Sequence, residues 1–513
     1  MARLEDRLKK SPDEAGPLVE DLGALVAAAT LTVRGFVSTL RPRILEDLGL
    51  VAAAEWLCDS CRRASGLDCT LELQPDFEAV DPDTGLVVFR VLQEATTNAL
   101  KHASAARIAL RLRREGDVLV AEVADDDLIL DIGPRTAAKL AELKVQPGFA
   151  STFLSNGQSP AAGSVFLQPK LAATLDHIAH AGTDDFYRGD LARSMARELE
   201  QMGSPLRLAD LQRHHAKLID PLTLQHSQGR VHNMTPPTQG LMSLIILGLL
   251  DRLSLGQYPV DGADHVHLCV EATKQAFKVR DQHLTDPAYM TRDPAEFLTA
   301  AALDAMARKI DPQQALPWGA GRPPADTIWM GVVDEQGLCV SFIQSIYHEF
   351  GSGIVLPTAG VNWQNRGCSF SLDPKALNTL EPLRKPFHTL NPALAVLDSG
   401  RTMVYGTMGG DGQPQTQAAI FSRVVHYGLD PQDAISRPRW LLGRTWGQTS
   451  DTLKLESRFP DAVTDELRRR GHDVEIIGAL DETVGHAGCI VREANGILKG
   501  GWDPRSDGAV VAY

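Results

Sequence analysis

Thr327 follows Asp326 and opens a run in which Ile328, Met330 and Val332 alternate with Trp329, Gly331 and Val333. A polar turn ending in Gly337 joins it to a second apolar run, Leu338 to Gln344. Period-two alternation on both sides of a short turn predicts a β-hairpin with Thr327 at the start of its first strand. Threonine is common in strands for steric reasons, so position alone assigns it no chemistry. Its hydroxyl is a weak nucleophile near neutral pH and needs an adjacent base, which a free α-amino group titrating near about 8 can supply. Downstream, Thr402 to Thr407 reads as a strand running into Gly409-Gly410, and Pro414 opens a helix to His426. Glycines at such a junction let a substrate approach backbone N–H groups that can hold a tetrahedral oxyanion, although a glycine pair is also an ordinary turn. From Thr327 onward no cluster of His, Cys, Asp and Glu stands at metal-ligand spacing, so acyl chemistry here is expected to need neither metal nor cofactor. His214, His215, His265 and His267 lie upstream and read as surface or core histidines.

The chain that must position these groups has 513 residues, enough for two or more domains and a large core. Its net charge of −14 and pI near 5.5 argue against a nucleic-acid partner. No apolar stretch of signal-peptide length follows the charged N-terminus, and the longest apolar run, Leu241 to Leu250, is too short to span a bilayer. The expectation is a cytoplasmic protein without membrane contact. Seven cysteines give no disulfide framework, and Cys58 and Cys61 read as reduced helix residues. Helices are predicted at Pro169–His180, Asp190–Met202, Leu208–Lys217, Gln239–Leu253 and Glu271–His283. A capping box at Asp293 and Glu296 predicts one more, ending near Ile310.

Several phrases recur in a fixed order: Asp326-Thr327, Ser345 to Gly353, Gln364 to Pro374, Arg384 to Thr389, Gly409 to Pro414, and Asp503 to Gly508. Together they resemble the γ-glutamyltranspeptidase (glutathione hydrolase) family, especially its acylase-like branch, from about Gly148 to Tyr513. The resemblance implies the four-layer αββα sandwich of N-terminal-nucleophile hydrolases. It also implies a precursor that cuts itself between Asp326 and Thr327 into a large and a small chain, possibly as a dimer of precursors. The freed α-amino group of Thr327 then serves as its base. Ser345 aligns with a hydroxyl residue that bonds the nucleophile, an ordinary strand-end serine being the alternative, and Gly409 and Gly410 align with the oxyanion hole.

The same alignment places Tyr347, Arg366 and Ser369 where the family holds a substrate α-amino group, and His388-Thr389 where it holds the α-carboxylate. The acidic partner for an ammonium is missing. Acyl donors without an α-amino group, such as glutaryl amides, are therefore expected to be preferred over γ-glutamyl amides. A purely structural Arg366, paired with Asp373 or Glu381, is the alternative.

Residues 1–127 follow a different pattern. Helices at Asp21–Leu40, Leu50–Ser65 and Leu86–Ala103 and strands at Cys69–Leu73, Ile108–Leu112 and Val118–Val123 form an α/β piece. Leu40 to Gly49 and Phe89 to Ala103 resemble a sensor histidine kinase, whose ATPase domain would place Glu94 and Asn98 toward Mg²⁺-ATP with Lys101 and His102 near the phosphates. The Asp-x-Gly-x-Gly turn of that family is replaced by Ala124 to Asp131, and no histidine precedes His102 to accept a phosphoryl group. This piece is expected to bind no nucleotide, and it stands where the transpeptidase family has the opening of its large chain. Four segments result: 1–127 kinase-like, 128–147 junction, 148–326 large-chain part and 327–513 catalytic part. The expected activity is hydrolysis or transfer of γ-glutamyl or related acyl groups from small amides through a Thr327 ester. A signalling ATPase and an inactive hydrolase relic are the rival readings.

Overall fold

The computed structural model describes residues 43–65, 68–74, 77, 80–81, 84–86, 88–89, 92–93, 96, 107–115, 118–125, 140–160, 166–319, 326–443 and 450–512. The chain forms two compact units, residues 1–131 with 161–165, and residues 132–160 with 166–513.

In the first unit, helix α1 (Arg43–Ser65) lies over a three-stranded sheet of β1 (Asp68–Leu73), β2 (Arg107–Glu115) and β3 (Val118–Asp125). β1 runs parallel to β2, and β3 antiparallel to it. Leu50, Ala53, Leu57 and Cys61 of α1 bury against Cys69, Ile108 and Leu110. The helix starts before the expected Leu50 because Gly49, at φ 83°, joins two helical pieces across a kink that only glycine takes easily. Cys58, Cys61 and Cys69 are buried and form no disulfide. Asp21–Leu40, Glu94, Asn98, Lys101 and His102 lie outside the described residues.

The second unit is built on a six-stranded antiparallel sheet in the order β11 (Leu498–Trp502), β10 (Ala487–Arg492), β9 (Thr402–Thr407), β8 (Ala393–Leu397), β5 (Gly229–Asn233) and β4 (Leu222–His226). Alternation sorts its side chains. Val231, Ala395, Met403, Tyr405 and Cys489 face one way, into a core shared with α2 (Gly240–Arg252), α3 (Ala263–His283) and α4 (Gln413–Phe421). α2 is buried from Gly240 to Leu250, as a helix apolar all round must be.

The opposite face carries Gly406 and Gly488, where the hairpin of β6 (Asp326–Val333) and β7 (Cys339–Tyr347) packs. Trp329 lies over both glycines: a Cβ built on Gly406 would sit 2.1 Å from its ring and one on Gly488 2.3 Å away. Two sheets can approach this closely only because those positions have no side chain. The result is helix, sheet and second-sheet layers of the αββα class. On the outward hairpin face Ile328 and Val332 are 52% and 59% exposed.

Three elements differ from their sequence expectation. α3 begins at Ala263, because His265, His267 and Glu271 are buried inside it although they read as polar. The helix at Leu208 stops at Arg213. The helix expected from Asp293 is divided: Asp293 accepts from Ala295 N–H and starts a 3₁₀ turn, Pro294–Leu298. Thr299 then caps a separate helix, Ala300–Ala307. No helix among the described residues is long and apolar enough to cross a membrane.

Burial also sets an acid limit. His226 and His265 are buried, and desolvation brings their pKa values down to about 4 and about 3. Unfolding returns each to the ordinary value near about 6.5, so the unfolded chain binds more protons between those limits. Stability is thus full above about pH 6.5 and falls as pH drops toward the folded values, each histidine removing about 2 kcal/mol at about pH 5. Urea midpoints at about pH 7.5 and pH 5 should show this loss; equal midpoints would refute it.

Candidate active site

Asp326 pairs with Tyr347, but Ile328 pairs with Gln344, so three steps on β7 oppose two on β6. The extra residue is a β-bulge that takes Thr327 out of the regular ladder, as bulges beside functional groups do. Ser345, inside the bulge, accepts the Tyr347 N–H at 2.8 Å. Its hydroxyl therefore shapes the strand end that faces Thr327, which is itself partly buried.

Tyr347 has φ 84°, an unfavourable value for a residue with a side chain, and is held there by packing. It is 6% exposed; His348 stacks on its ring at 4.9 Å, and the Arg366 guanidinium lies 4.0 Å over it. The loop carrying Arg366 is fastened to β7 because Asn365 accepts His348 N–H at 3.1 Å and donates its own N–H to Ile346 O at 3.1 Å. Arg366 opens a 3₁₀ turn that Ser369 closes beside the Tyr347 phenol.

Neither expected structural partner reaches Arg366. Glu381 pairs with Arg384 at 3.4 Å, and Asp373 accepts Lys375 N–H at 2.9 Å. Arg366 donates through Nη1 to Thr389 Oγ1 at 3.3 Å, while its buried Nη2 has no hydrogen-bond partner. Burial without a carboxylate lowers its pKa to about 10, so it stays cationic at neutral pH. A buried guanidinium with no counter-charge is costly unless an anion arrives to pair with it.

His388 and Thr389 form the next wall. Burial and the Arg366 charge bring His388 down to about 3, so the ring is neutral, and its Nδ1 accepts from Leu390 N–H at 3.2 Å. The other ring nitrogen therefore carries the proton. The His388 carbonyl accepts the Gln239 N–H at 3.1 Å, and Gln239 Nε2 donates to Gly410 O at 2.5 Å. Gly409 and Gly410, at φ 107° and 53°, turn the chain from β9 into α4, with Gly485 packed behind Gly409. Asp411, which follows, is buried in an ion pair with Arg280 at 2.7 Å; burial above all, with a smaller push from this carboxylate, raises the Tyr347 pKa.

Most of the expected residues thus lie on one connected path, from the Thr327 bulge through Tyr347, Arg366, Thr389, His388 and Gln239 to Gly410. Holding the Gly410 carbonyl on Gln239 fixes the orientation of the peptides around the turn. Sequence reasoning missed Gln239 and Arg280. The one available signal for Gln239 was a polar residue at the head of an otherwise apolar helix. Sequence reasoning also found no metal-type cluster, yet His267, Glu271 and His472 place their ligand atoms within 4.8 Å of one another. Its third member is 205 residues from the first, beyond any spacing rule.

Two packed sheets, a hairpin with a bulge at Thr327 and a Gly-Gly turn leading from β9 into α4 fit the N-terminal-nucleophile hydrolases. The sequence model of the gamma-glutamyltranspeptidase family matches residues 130–513, and the chain belongs to that family. It is 57% identical over 378 residues to the oxamate amidohydrolase proenzyme of Klebsiella pneumoniae, covering 74% of this chain and 71% of that one. It is 39% identical over 376 residues to the glutathione hydrolase-like YwrD proenzyme of Bacillus subtilis, covering 73% and 71%. The crystal structure of cephalosporin acylase from Bacillus halodurans superposes with a TM-score of 0.66 at 30% identity, covering 73% of this chain and 69% of that one. These matches support no kinase relationship for the first unit.

Proposed function

We propose that this amidohydrolase cuts itself before Thr327 and then hydrolyses a small amide whose scissile carbonyl lies next to a carboxylate, the chemical class of oxamate. The observation that carries this reading is Arg366, a buried cation with an unpartnered Nη2 close to the nucleophile strand. The 57% identity to an oxamate amidohydrolase supports it. A γ-glutamyl donor fits less well. Its ammonium needs an acid, whereas Tyr347, Ser369, His388 and Thr389 are uncharged and Asp411 is already neutralised by Arg280.

In this reading the substrate carboxylate takes the Arg366 fork and the Thr389 hydroxyl, with the His388 N–H as a further donor. The Thr327 hydroxyl adds to the amide carbonyl and passes its proton to the threonine α-amino group. N–H groups of Gly409 and Gly410 hold the oxyanion. Collapse expels ammonia, which takes that proton, and leaves an ester on Thr327. Water, deprotonated by the same amine, hydrolyses the ester to give oxalate and free enzyme.

Ammonia release from oxamate and oxamide, and aniline release from a γ-glutamyl anilide, by the purified chain test the substrate class. Oxamide keeps the amide and loses the charge, so kcat/KM should fall roughly 10- to 150-fold relative to oxamate, the worth of about 1.5–3 kcal/mol for a hydrogen bond to a charged group. Preference for the γ-glutamyl compound, or equal use of oxamate and oxamide, would overturn the assignment.

A further inference from the structure

His267 and Glu271 lie one turn apart on α3, facing the same side, and both are fully buried. The loop that follows the helix α5 (Asp461–Arg469) brings His472 against them, with His267 Nδ1 and His472 Nε2 2.8 Å apart. Each group is oriented from behind. His267 Nε2 donates to the Asp311 carbonyl at 2.8 Å, so its Nδ1 is the lone-pair nitrogen, turned toward the other two residues. Glu271 is fixed by Lys274 Nζ at 2.7 Å and by Leu316 N–H at 3.3 and 3.2 Å from its two oxygens. An imidazole steered by a backbone carbonyl and a carboxylate steered by its own donors form the outer shell that metal ligands ordinarily carry.

We infer that His267, Glu271 and His472 form a binding site for a divalent transition-metal ion of the zinc class. Two imidazoles and a carboxylate suit zinc, whereas calcium and magnesium favour all-oxygen shells. To bind, His472 carries its proton on Nδ1 instead of Nε2. The two imidazoles also part from 2.8 Å to the roughly 3.3 Å spanned by nitrogens at about 2.0–2.1 Å from a tetrahedral ion. No net proton is released. The segment from Asp311 to Leu316, which holds His267 and Glu271 from behind, is exposed over its first four residues, so solvent reaches the edge of the cluster. The neighbouring cations are already paired, Lys274 with Glu271 and Arg470 with Asp264 and Glu466. They weaken the site without closing it.

His267 and Glu271 precede Thr327, and His472 follows it. If the chain cuts itself as proposed above, the ion would clamp the two resulting chains together.

The test uses untagged full-length protein stripped with chelator and titrated with Zn²⁺ alone by calorimetry, with Co²⁺ absorption as a second probe. One ion per chain is expected, with a rise in melting temperature and the intense visible bands of four-coordinate cobalt. His472→Gln and Glu271→Gln should each weaken binding at least about tenfold; His472→Gln should melt close to the stripped wild type, whereas Glu271→Gln, which leaves Lys274 buried without its carboxylate, should melt lower. The uncut Thr327→Ala chain should bind as the wild type does, so a failure of self-cleavage leaves this result untouched. Absence of stoichiometric binding to the wild type, or binding unchanged in both ligand variants, would overturn the site.

Discussion

Thr327→Ala is expected to remain one polypeptide and to lose amide hydrolysis by a factor on the order of 10⁴ or more, because alanine removes both the attacking oxygen and the group that frees its own amine. The fold should survive: Thr327 is partly buried at a strand start, in a bulge whose shape is set by Ser345 and the Tyr347 N–H. Thr327→Ser, which keeps a hydroxyl, should restore cleavage and part of the turnover. Loss of both functions with an unchanged melting temperature is the expected pattern, read by gel, ammonia assay and calorimetry on the same preparation. Hydrolysis by the uncut alanine variant at the wild-type rate would mean that another residue attacks.

The second large effect is at Arg366. Arg366→Met keeps the length and the packing on Tyr347 but deletes the only positive charge on the path described above. Truncating one partner of a buried charge pair costs about 2–5 kcal/mol, so kcat/KM for an anionic amide should fall roughly 30- to 4,000-fold, mostly through KM. Stability should hold or rise, because the unliganded protein keeps Nη2 buried without a partner and methionine relieves that penalty. This opposition separates a substrate receptor from a structural arginine. A variant that melts lower while its KM is unchanged would show that Arg366 supports the loop and does not bind substrate. Arg366→Lys should fall between, since a point charge cannot reproduce the two-pronged fork.

What could be read from the sequence was local. The hairpin follows from alternation on either side of Gly337, and the Gly409-Gly410 turn from a strand meeting a proline-started helix; both stand where expected. Residue types at the site were also legible, Arg366 above all. Its lack of a partner was not, because that depends on Glu381 turning to Arg384 and Asp373 to its own loop. Gln239 and Arg280 support the turn from positions more than a hundred residues away. Periodicity failed on α3, where buried His265, His267 and Glu271 count as polar although specific partners satisfy them inside the protein. The division at Thr299 escaped notice because the Asp293 signal is real but starts a shorter turn.

The intact mass of the purified wild-type protein shows whether folding builds a site able to cut the chain before Thr327. Measured under denaturing conditions on a sample that first shows cooperative thermal unfolding, the protein should give two masses, for residues 1–326 and 327–513. A single species at the full 55.6 kDa in such a folded sample would contradict it.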